Sequence, residues 1–499
     1  MDRRNMLFVL TDQQRSDSLG SYGNPLVATP NLDWLAASGT RFTNWFTPTA
    51  ICTPARASLI TGKAPFRHKV LANHERNVGY MEEIPEGEFS FGQSLKEQGY
   101  NVGLFGKWHV GTKRGPADLG FDGPHLDGWH NAVDHPLYRH YLEERGLPPY
   151  EITDEIRGTF PNGQPALLMA ARLQQPVEAT FEHFLADLAI QRIERYAKDY
   201  KESGQPFFLA IHFFGPHLPY ILPSDYFDLY GPDDVELPES VHETFENKPQ
   251  VQKNYSKHWA FDTMTERESR QLLALSMGYV AMIDMELGRV FDAMRTHGLI
   301  DETAIFFSSD HGEFTGAHRL HDKGPAMYDD IYKTAGIVRI PGAPQGQVRD
   351  ELVSLMDCTA TILELAGAET HPATDSASLV RLIEGKQTPW RDYIICEYHG
   401  HHFPYPQRMI RNHRYKLIVN PESVNELYDL EADPHELTNG YQHPDLEAIR
   451  SLLLTELYEA LKARGDKFYH WMTSMYEVGE LNHDPSMSQL DKKTDYSAS

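Results

Sequence analysis

The sequence predicts an α/β protein: a large mixed but mostly parallel sheet sandwiched by helices, followed by a small C-terminal α+β subdomain with a short antiparallel sheet. Three observations carry this. Asn5–Leu10, Tyr100–Phe105, Pro206–Phe214 and Thr303–Ser308 are largely continuous apolar runs, the pattern of strands buried on both faces. Each run ends in polar residues able to do chemistry, at the strand end where ligands of open α/β sheets bind. Helical stretches separate these runs, whereas beyond about residue 390 the chain turns to short, closely spaced strands.

The first strand, Asn5–Leu10, delivers Asp12 and Gln13, oxygen donors suited to a hard cation. Thr29–Asp33 opens a short helix ending near Gly39, and Arg41–Phe46 comes next as a strand. The stretch Ile51–Gly62, ICTPARASLITG, starts a second helix, with Pro54 in its first turn and good helix formers from Ala55 to Ile60. Cys52 then lies at the positive end of a helix dipole, where an anion or developing oxyanion is favoured. Arg56, four residues on, brings a fixed cation back towards it. A helix over Phe91–Gln98 stops at Gly99, and the strand after it delivers Lys107-Trp108-His109. Alternation along an extended chain puts Lys107 and His109 on one side, a pairing suited to anion binding and proton transfer.

Residues 113 to 175 are rich in Pro, Gly, His and Tyr with poor periodicity, as expected of a long insertion that shapes a pocket. Its histidines, His125, His130, His135 and His140, are candidate substrate contacts. Phe181–Tyr200 has helical periodicity. The strand Pro206–Phe214 leads to His217, held in a loop stiffened by prolines on both sides. Glu266–Gly298 is the longest helix candidate, and Thr303–Ser308 ends in Ser309-Asp310-His311-Gly312-Glu313. Asp310 and His311 would complete an oxygen- and nitrogen-bearing metal site with Asp12 and Gln13. Lys323 is a second candidate cation, with His318 and His321 in the same loop.

Gly336–Ile340 and a helix over Leu355–Ala366 close a catalytic domain spanning 1–385. The subdomain, 386–465, is read as strands over Arg391–Tyr398, Arg408–Val419 (turning at Asn412-His413) and Glu426–Leu430, then a helix over Asp445–Ala463. The stretch Tyr398–Pro406 lies between two of these strands and is expected to reach the pocket. The tail, 466–499, carries Phe468, Tyr469 and Trp471 and is read as a subunit contact, hence a homo-oligomer.

The net charge of −25 argues against nucleic acid and anionic membranes as partners. No apolar run is long enough to span a bilayer. Met6–Leu10 is too short for a signal-peptide core, which predicts a cytoplasmic protein, or a periplasmic one if a leader has been removed. Three cysteines form too sparse a set for a disulfide framework.

Cys-x-Pro-x-Arg with Ala-Ser-Leu-x-Thr-Gly after it resembles the signature of the type I sulfatases of the alkaline phosphatase superfamily. Asp12-Gln13, the GYxxGxxGKWH stretch ending at His109, the PHxP around His217 and the SDHGE at Asp310 are similar to that family's other motifs. Together they cover the chain from Asn5 to about residue 465. The resemblance implies hydrolysis of a sulfate ester. Cys52 would be oxidised to formylglycine (3-oxoalanine) by a formylglycine-generating enzyme, and the hydrated aldehyde would be the nucleophile. Asp12, Gln13, Cys52, Asp310 and His311 would hold Ca2+, with Mn2+ or Mg2+ as alternatives. Lys107 and Lys323 would bind the anionic group and His217 would protonate the departing alcohol. His109 would take a proton from the second hydroxyl, and Arg56 would hold the diol. Many relatives have Asp where this chain has Gln13, a departure that removes one negative charge. An aryl sulfate, a sulfated sugar or a small alkyl sulfate would each fit as substrate. The rival readings are a phosphonate monoester or phosphodiester hydrolase of the same superfamily, a phosphomonoesterase with an unmodified nucleophile, and an inactive binding protein on this scaffold.

Overall fold

The computed structural model describes residues 3–474 except 76, 80 and 129–131. Strand β1 (Asn5–Thr11) is buried along its whole length. Its alternation divides the core: Leu7 and Val9 enter one hydrophobic layer, while Met6, Phe8 and Leu10 enter the other. The further strands of the large domain are β2 (Thr40–Phe46), β3 (Asn101–Gly106), β4 (Ile152–Thr159), β5 (Pro165–Leu173), β6 (Phe207–His212), β7 (Tyr220–Pro223), β8 (Thr303–Ser309), β9 (Lys333–Arg339) and β10 (Gln347–Ser354). The main sheet runs β10-β2-β9-β8-β1-β6-β3. Its pairings are parallel except those of β9, which is antiparallel to both β2 and β8.

Helices cover both faces. Leu32 and Leu35 of α1 (Pro30–Ser38) pack on the Leu7 side. So do α4 (Phe181–Ser203) and α5 (Glu266–Thr296). On the Met6 side lie α2 (Cys52–Thr61), α3 (Phe91–Glu97) and α6 (Asp357–Ala366). The start of α5 is fixed by a capping box, in which Thr265 Oγ1 accepts from Glu268 N at 3.2 Å and the Glu268 carboxylate accepts from Thr265 N at 2.7 Å.

Register sets up the site. Thr11 lies opposite Ser309, Leu10 opposite His212, and Gly106 opposite His212. The carboxyl ends of β8, β1, β6 and β3 therefore finish level, and Asp310, Asp12 and Lys107 emerge along one edge of the sheet.

Two expectations are corrected. The segment 113–175 is not irregular: it holds a helix, Pro136–Glu144, and the hairpin β4–β5, which β7 extends into a small sheet of its own. Strand β10, an edge strand beside β2, has no counterpart among the strands expected from sequence.

The C-terminal sheet is antiparallel in the order β11 (Ile394–His401), β12 (Phe403–Arg411), β13 (Tyr415–Val419), β14 (Glu426–Asp429). One face packs on Leu453, Leu457 and Leu461 of α7 (Glu447–Arg464). The other face, through Cys396, Tyr398, Met409 and Ile418, shares a core with Tyr328 and Tyr332 of the large domain. Tyr398–Pro406 belongs to β11 and β12 themselves, meeting at His402, and does not merely link them. Phe468, Tyr469 and Met472 are buried in the subdomain's own core, while Trp471 is exposed. The remaining tail, 475–499, lies outside the described residues. Among the described residues no helix is long and apolar enough to cross a membrane, and Cys52, Cys358 and Cys396 are free and buried.

Candidate active site

At the level edge of the sheet, Asp12, Cys52, Asp310 and His311 are buried with one ligand atom from each inside a 4.8 Å span. Cys52 is the first residue of α2, a helix buried along its whole length. Its Sγ lies 3.2 Å from His311 Nε2 and 3.8 Å from Asp12 Oδ1. His311 Nδ1 donates to Gly312 O at 2.8 Å, which leaves the Nε2 lone pair facing the cluster. Asp310 Oδ1 accepts from the backbone N–H groups of His311 at 2.9 Å and Gln13 at 3.1 Å. Two carboxylates and a neutral imidazole converging in a buried space suit a divalent cation.

Arg56 is buried beneath this cluster and bonds it together. Its Nε donates to Asp310 Oδ2, its Nη2 to Asp12 Oδ2 and its Nη1 to the Lys107 carbonyl, each at 2.8 Å. The motif alone aims this guanidinium at Cys52; the structure spends all three of its nitrogens on the carboxylates and the carbonyl. Arg56 therefore positions the candidate ligands. Lys107 Nζ adds an ion pair to Asp12 Oδ2 at 2.7 Å. Burial works to raise the Asp12 carboxyl, but Lys107 and Arg56 together hold it well below its ordinary range. The Cys52 thiol is pushed up to about 12 by burial and by Asp12.

The second cation, Lys323, donates to Gln13 Oε1 at 2.9 Å, His217 Nε2 at 2.9 Å and Asp322 Oδ1 at 3.0 Å. Burial opposes its charge, yet Asp322 and other nearby negative groups keep it firmly protonated. An ammonium can only donate, so His217 Nε2 is an acceptor here, and its Nδ1 donates to Leu218 O. Burial, then Lys323, pulls His217 down to about 3. Gln13, expected as a ligand, donates its backbone N–H to Asp310 Oδ1 of the cluster at 3.1 Å. Its backbone is left-handed (φ 60°), and its amide is shared between Lys323 and the Glu313 carboxylate.

His109 lines the same cavity as Lys107, though not by strand alternation: its φ of 54° turns the chain. Burial and Lys107 keep its imidazole neutral, well below the usual histidine value. Gly106 is what permits the turn. It has φ 111°, and a Cβ there would lie 1.8 Å from His212 O, so Gly106→Ala must separate β3 from β6 just where Lys107 leaves the strand. A shift of roughly 1 Å costs about 100-fold in turnover. Steady-state kinetics of Gly106→Ala should show that loss, and wild-type kcat would refute the account.

The cavity beside Cys52, about 460 Å3, is walled by Tyr138, Tyr150, Phe181, Phe214, Trp259 and Tyr279, with Glu182, Asp322, Lys323, His401 and His402 among its polar residues. The insertion contributes aromatic and aliphatic surface here, and its His125 and His135 line an adjoining cavity of about 400 Å3 that shares Gly128, Ala132 and Phe214 with this one. His135 caps the helix Pro136–Glu144, His140 pairs with Glu144 at 3.2 Å on the surface, and His125 packs against Gly115. His130 lies outside the described residues. His318 stacks on Tyr328 with ring centroids 3.6 Å apart and bonds Glu243, and His321 packs on Phe261, so both serve the loop's packing. Sequence reasoning missed His212, Asp322 and Glu313. A polar residue ending the apolar β6 run marks the first, and adjacency to Lys323 marks the second.

This fold, with a metal-competent acidic cluster and two ammonium groups at the carboxyl edge of its sheet, defines a metal-dependent ester hydrolase of the alkaline phosphatase superfamily. The chain belongs to the sulfatase family: the Sulfatase family model matches residues 4–368, and the N-sulphoglucosamine sulphohydrolase C-terminal model matches 316–463. It is 28% identical over 492 residues to the uncharacterized sulfatase YidJ of Escherichia coli K12, covering 94% of this chain and 90% of that one. It is also 28% identical to an arylsulfatase of Clostridium perfringens over 484 residues, covering 91% and 94% of the two chains. Among solved structures it is similar to the phosphonate monoester hydrolase of Agrobacterium radiobacter (TM-score 0.75, 26% identity, 93% and 96% covered).

Proposed function

We propose that this sulfatase cleaves sulfate monoesters of aryl or similarly apolar alcohols, with Cys52 matured to formylglycine. The observation that carries the reading is the position of Cys52: at the first turn of α2, 3.2 Å from His311 Nε2, and open to a cavity with aromatic walls. A thiol pushed up to about 12 is a poor nucleophile at neutral pH. Formylglycine would supply a hydrated aldehyde with one hydroxyl to attack and a second to lose its proton, and a divalent ion on Asp12, Asp310, His311 and that side chain would acidify the attacking hydroxyl. By its carboxylates the ion is Ca2+, with Mn2+ the alternative that the imidazole favours.

The chain's own groups do the rest. Lys107, anchored on Asp12, and Lys323, anchored on Asp322, line the cavity with Cys52 and present ammonium donors to the sulfate oxygens. Lys323, which keeps its proton, donates to His217 Nε2 and so holds that imidazole at the cavity wall, where it is placed to meet the oxygen of the departing alcohol. His109, kept neutral, accepts the proton released at the nucleophile. The aromatic walls bury the alcohol.

Gln13 in place of a second carboxylate, together with the likeness to a phosphonate monoester hydrolase, favours phosphonate monoester hydrolysis as the second reading. Comparing kcat/KM for an aryl sulfate, an aryl phosphonate monoester and a phosphodiester decides it. The sulfate is expected to lead, and a dominant phosphonate rate would overturn the first reading. Chelation should abolish turnover. It should also lower unfolding free energy by about 4 kcal/mol relative to enzyme in ion at roughly 1,000 times its Kd. Recovery with Ca2+ or Mn2+ identifies the metal; unchanged melting in chelator would contradict a bound ion.

A further inference from the structure

The tip of the β11–β12 hairpin gathers Glu75, His401 and His402 into a cluster separate from the Asp12–His311 set. Consecutive residues of an extended strand point to opposite faces. Here His402 adopts a left-handed backbone with φ 66°, and the His401 and His402 rings come to lie side by side with centroids 3.8 Å apart. A non-glycine residue in that conformation marks a place where the surroundings impose an arrangement.

Glu75 reaches both rings. Its Oε1 is 3.6 Å from His401 Nε2 and 3.8 Å from His402 Nδ1, too far for good hydrogen bonds. One ligand atom from each residue falls within 4.8 Å of the others. Donors at about 2.0–2.2 Å around one tetrahedral ion stand a little over 3 Å apart, so the two Glu75–histidine separations need close by only a few tenths of an ångström. Among the described residues Glu75 Oε2, which could join Oε1 on an ion, is buried without a hydrogen-bond partner, which an all-protein packing role leaves unexplained. Tyr255 Oη lies 3.1 Å from His401 Nδ1 and so holds that ring with Nε2 towards Glu75, as the outer partner of a ligating histidine does. The neighbouring Lys323 charge is offset by Asp322 at 3.0 Å.

We propose that Glu75, His401 and His402 form a second metal site, for a divalent transition ion, with its remaining coordination position open to the substrate cavity that both histidines line. Two imidazoles and one carboxylate are a donor set for Zn2+, whereas the acidic cluster at Asp12 suits a harder ion. The inference does not depend on the identity of the ester cleaved.

The test counts metal in the full-length enzyme, stripped with chelator, loaded with Zn2+ and desalted. Wild type is expected to keep about two ions per chain and the Glu75→Gln/His402→Asn variant about one. Asp310→Asn, which damages the first site, should keep the second ion. Tyr255→Phe should weaken the second binding step by about tenfold in calorimetry, the usual cost of losing an outer partner. Equal Zn2+ content in wild type and the double variant would overturn the proposal. Should the double variant not fold, an unchanged second Kd in Tyr255→Phe would do the same.

Discussion

Cys52→Ser is expected to lose steady-state turnover by a factor of about 10,000 or more, with KM falling alongside kcat, because the step that is lost is release of sulfate from the trapped side chain. Serine would stand at the same first position of α2, beside the same Asp12 and His311, and with the same two lysines aimed at the substrate. It offers one hydroxyl where a hydrated aldehyde offers two. Attack can therefore occur once, but release of the sulfate cannot, since no proton remains on the side chain whose removal by His109 would expel the product. Mixing Cys52→Ser with an aryl sulfate should release a single burst of phenol and leave the chain heavier by one SO3 group in intact-mass measurement. Cys52→Ala should give neither burst nor mass shift. Sustained turnover by the serine variant, or a free thiol at Cys52 in fully active enzyme, would sink the formylglycine reading.

The parts of this site that are legible in the sequence are those attached to runs with two-sided burial. β1, β6 and β8 lie inside the sheet and β3 at its end, all four with helices on both faces, so their sequences must be apolar throughout, and the polar residues at the end of each run are marked by contrast. That is why Asp12, Lys107, His217 and Asp310 stand out. Strand β4 has most of its side chains in solvent, and the first residues of β10 are polar and partly exposed at the sheet's edge. Neither leaves an apolar run to read. The direction of side chains is less legible than their presence. Gln13 comes directly after Asp12, and only its positive φ reveals that its amide turns to Lys323 and Glu313. His401 and His402 are visible as a pair in the sequence, but the backbone reversal that brings them against Glu75, from a segment more than 300 residues earlier, arises from tertiary structure alone.

Arg56 is the clearest case of a motif residue whose function is set by long-range geometry, and its replacement carries the largest expected cost in stability. Its guanidinium joins residues far apart in sequence, Asp12, Asp310 and the Lys107 carbonyl, and neither it nor the two carboxylates has any exposed side-chain surface. Arg56→Met keeps most of the volume but leaves Asp310 without its cation and Asp12 with Lys107 alone. Breaking a buried pair from one side costs about 3–5 kcal/mol. That loss should be greatest in chelator, because a bound divalent ion gives the same two carboxylates a second source of positive charge. Chemical denaturation of Arg56→Met with and without Ca2+ is therefore expected to show a wider gap between the two conditions than wild type shows. Arg56→Lys is a sharper test of geometry than of charge. One ammonium cannot reproduce a planar fork that reaches two carboxylates and a carbonyl at once, so turnover should fall about 100-fold through misplacement of Lys107 and the ligands, even where the ion restores stability. An Arg56→Lys enzyme with wild-type kcat would mean that the cation's charge, and not its fork, is what the site requires.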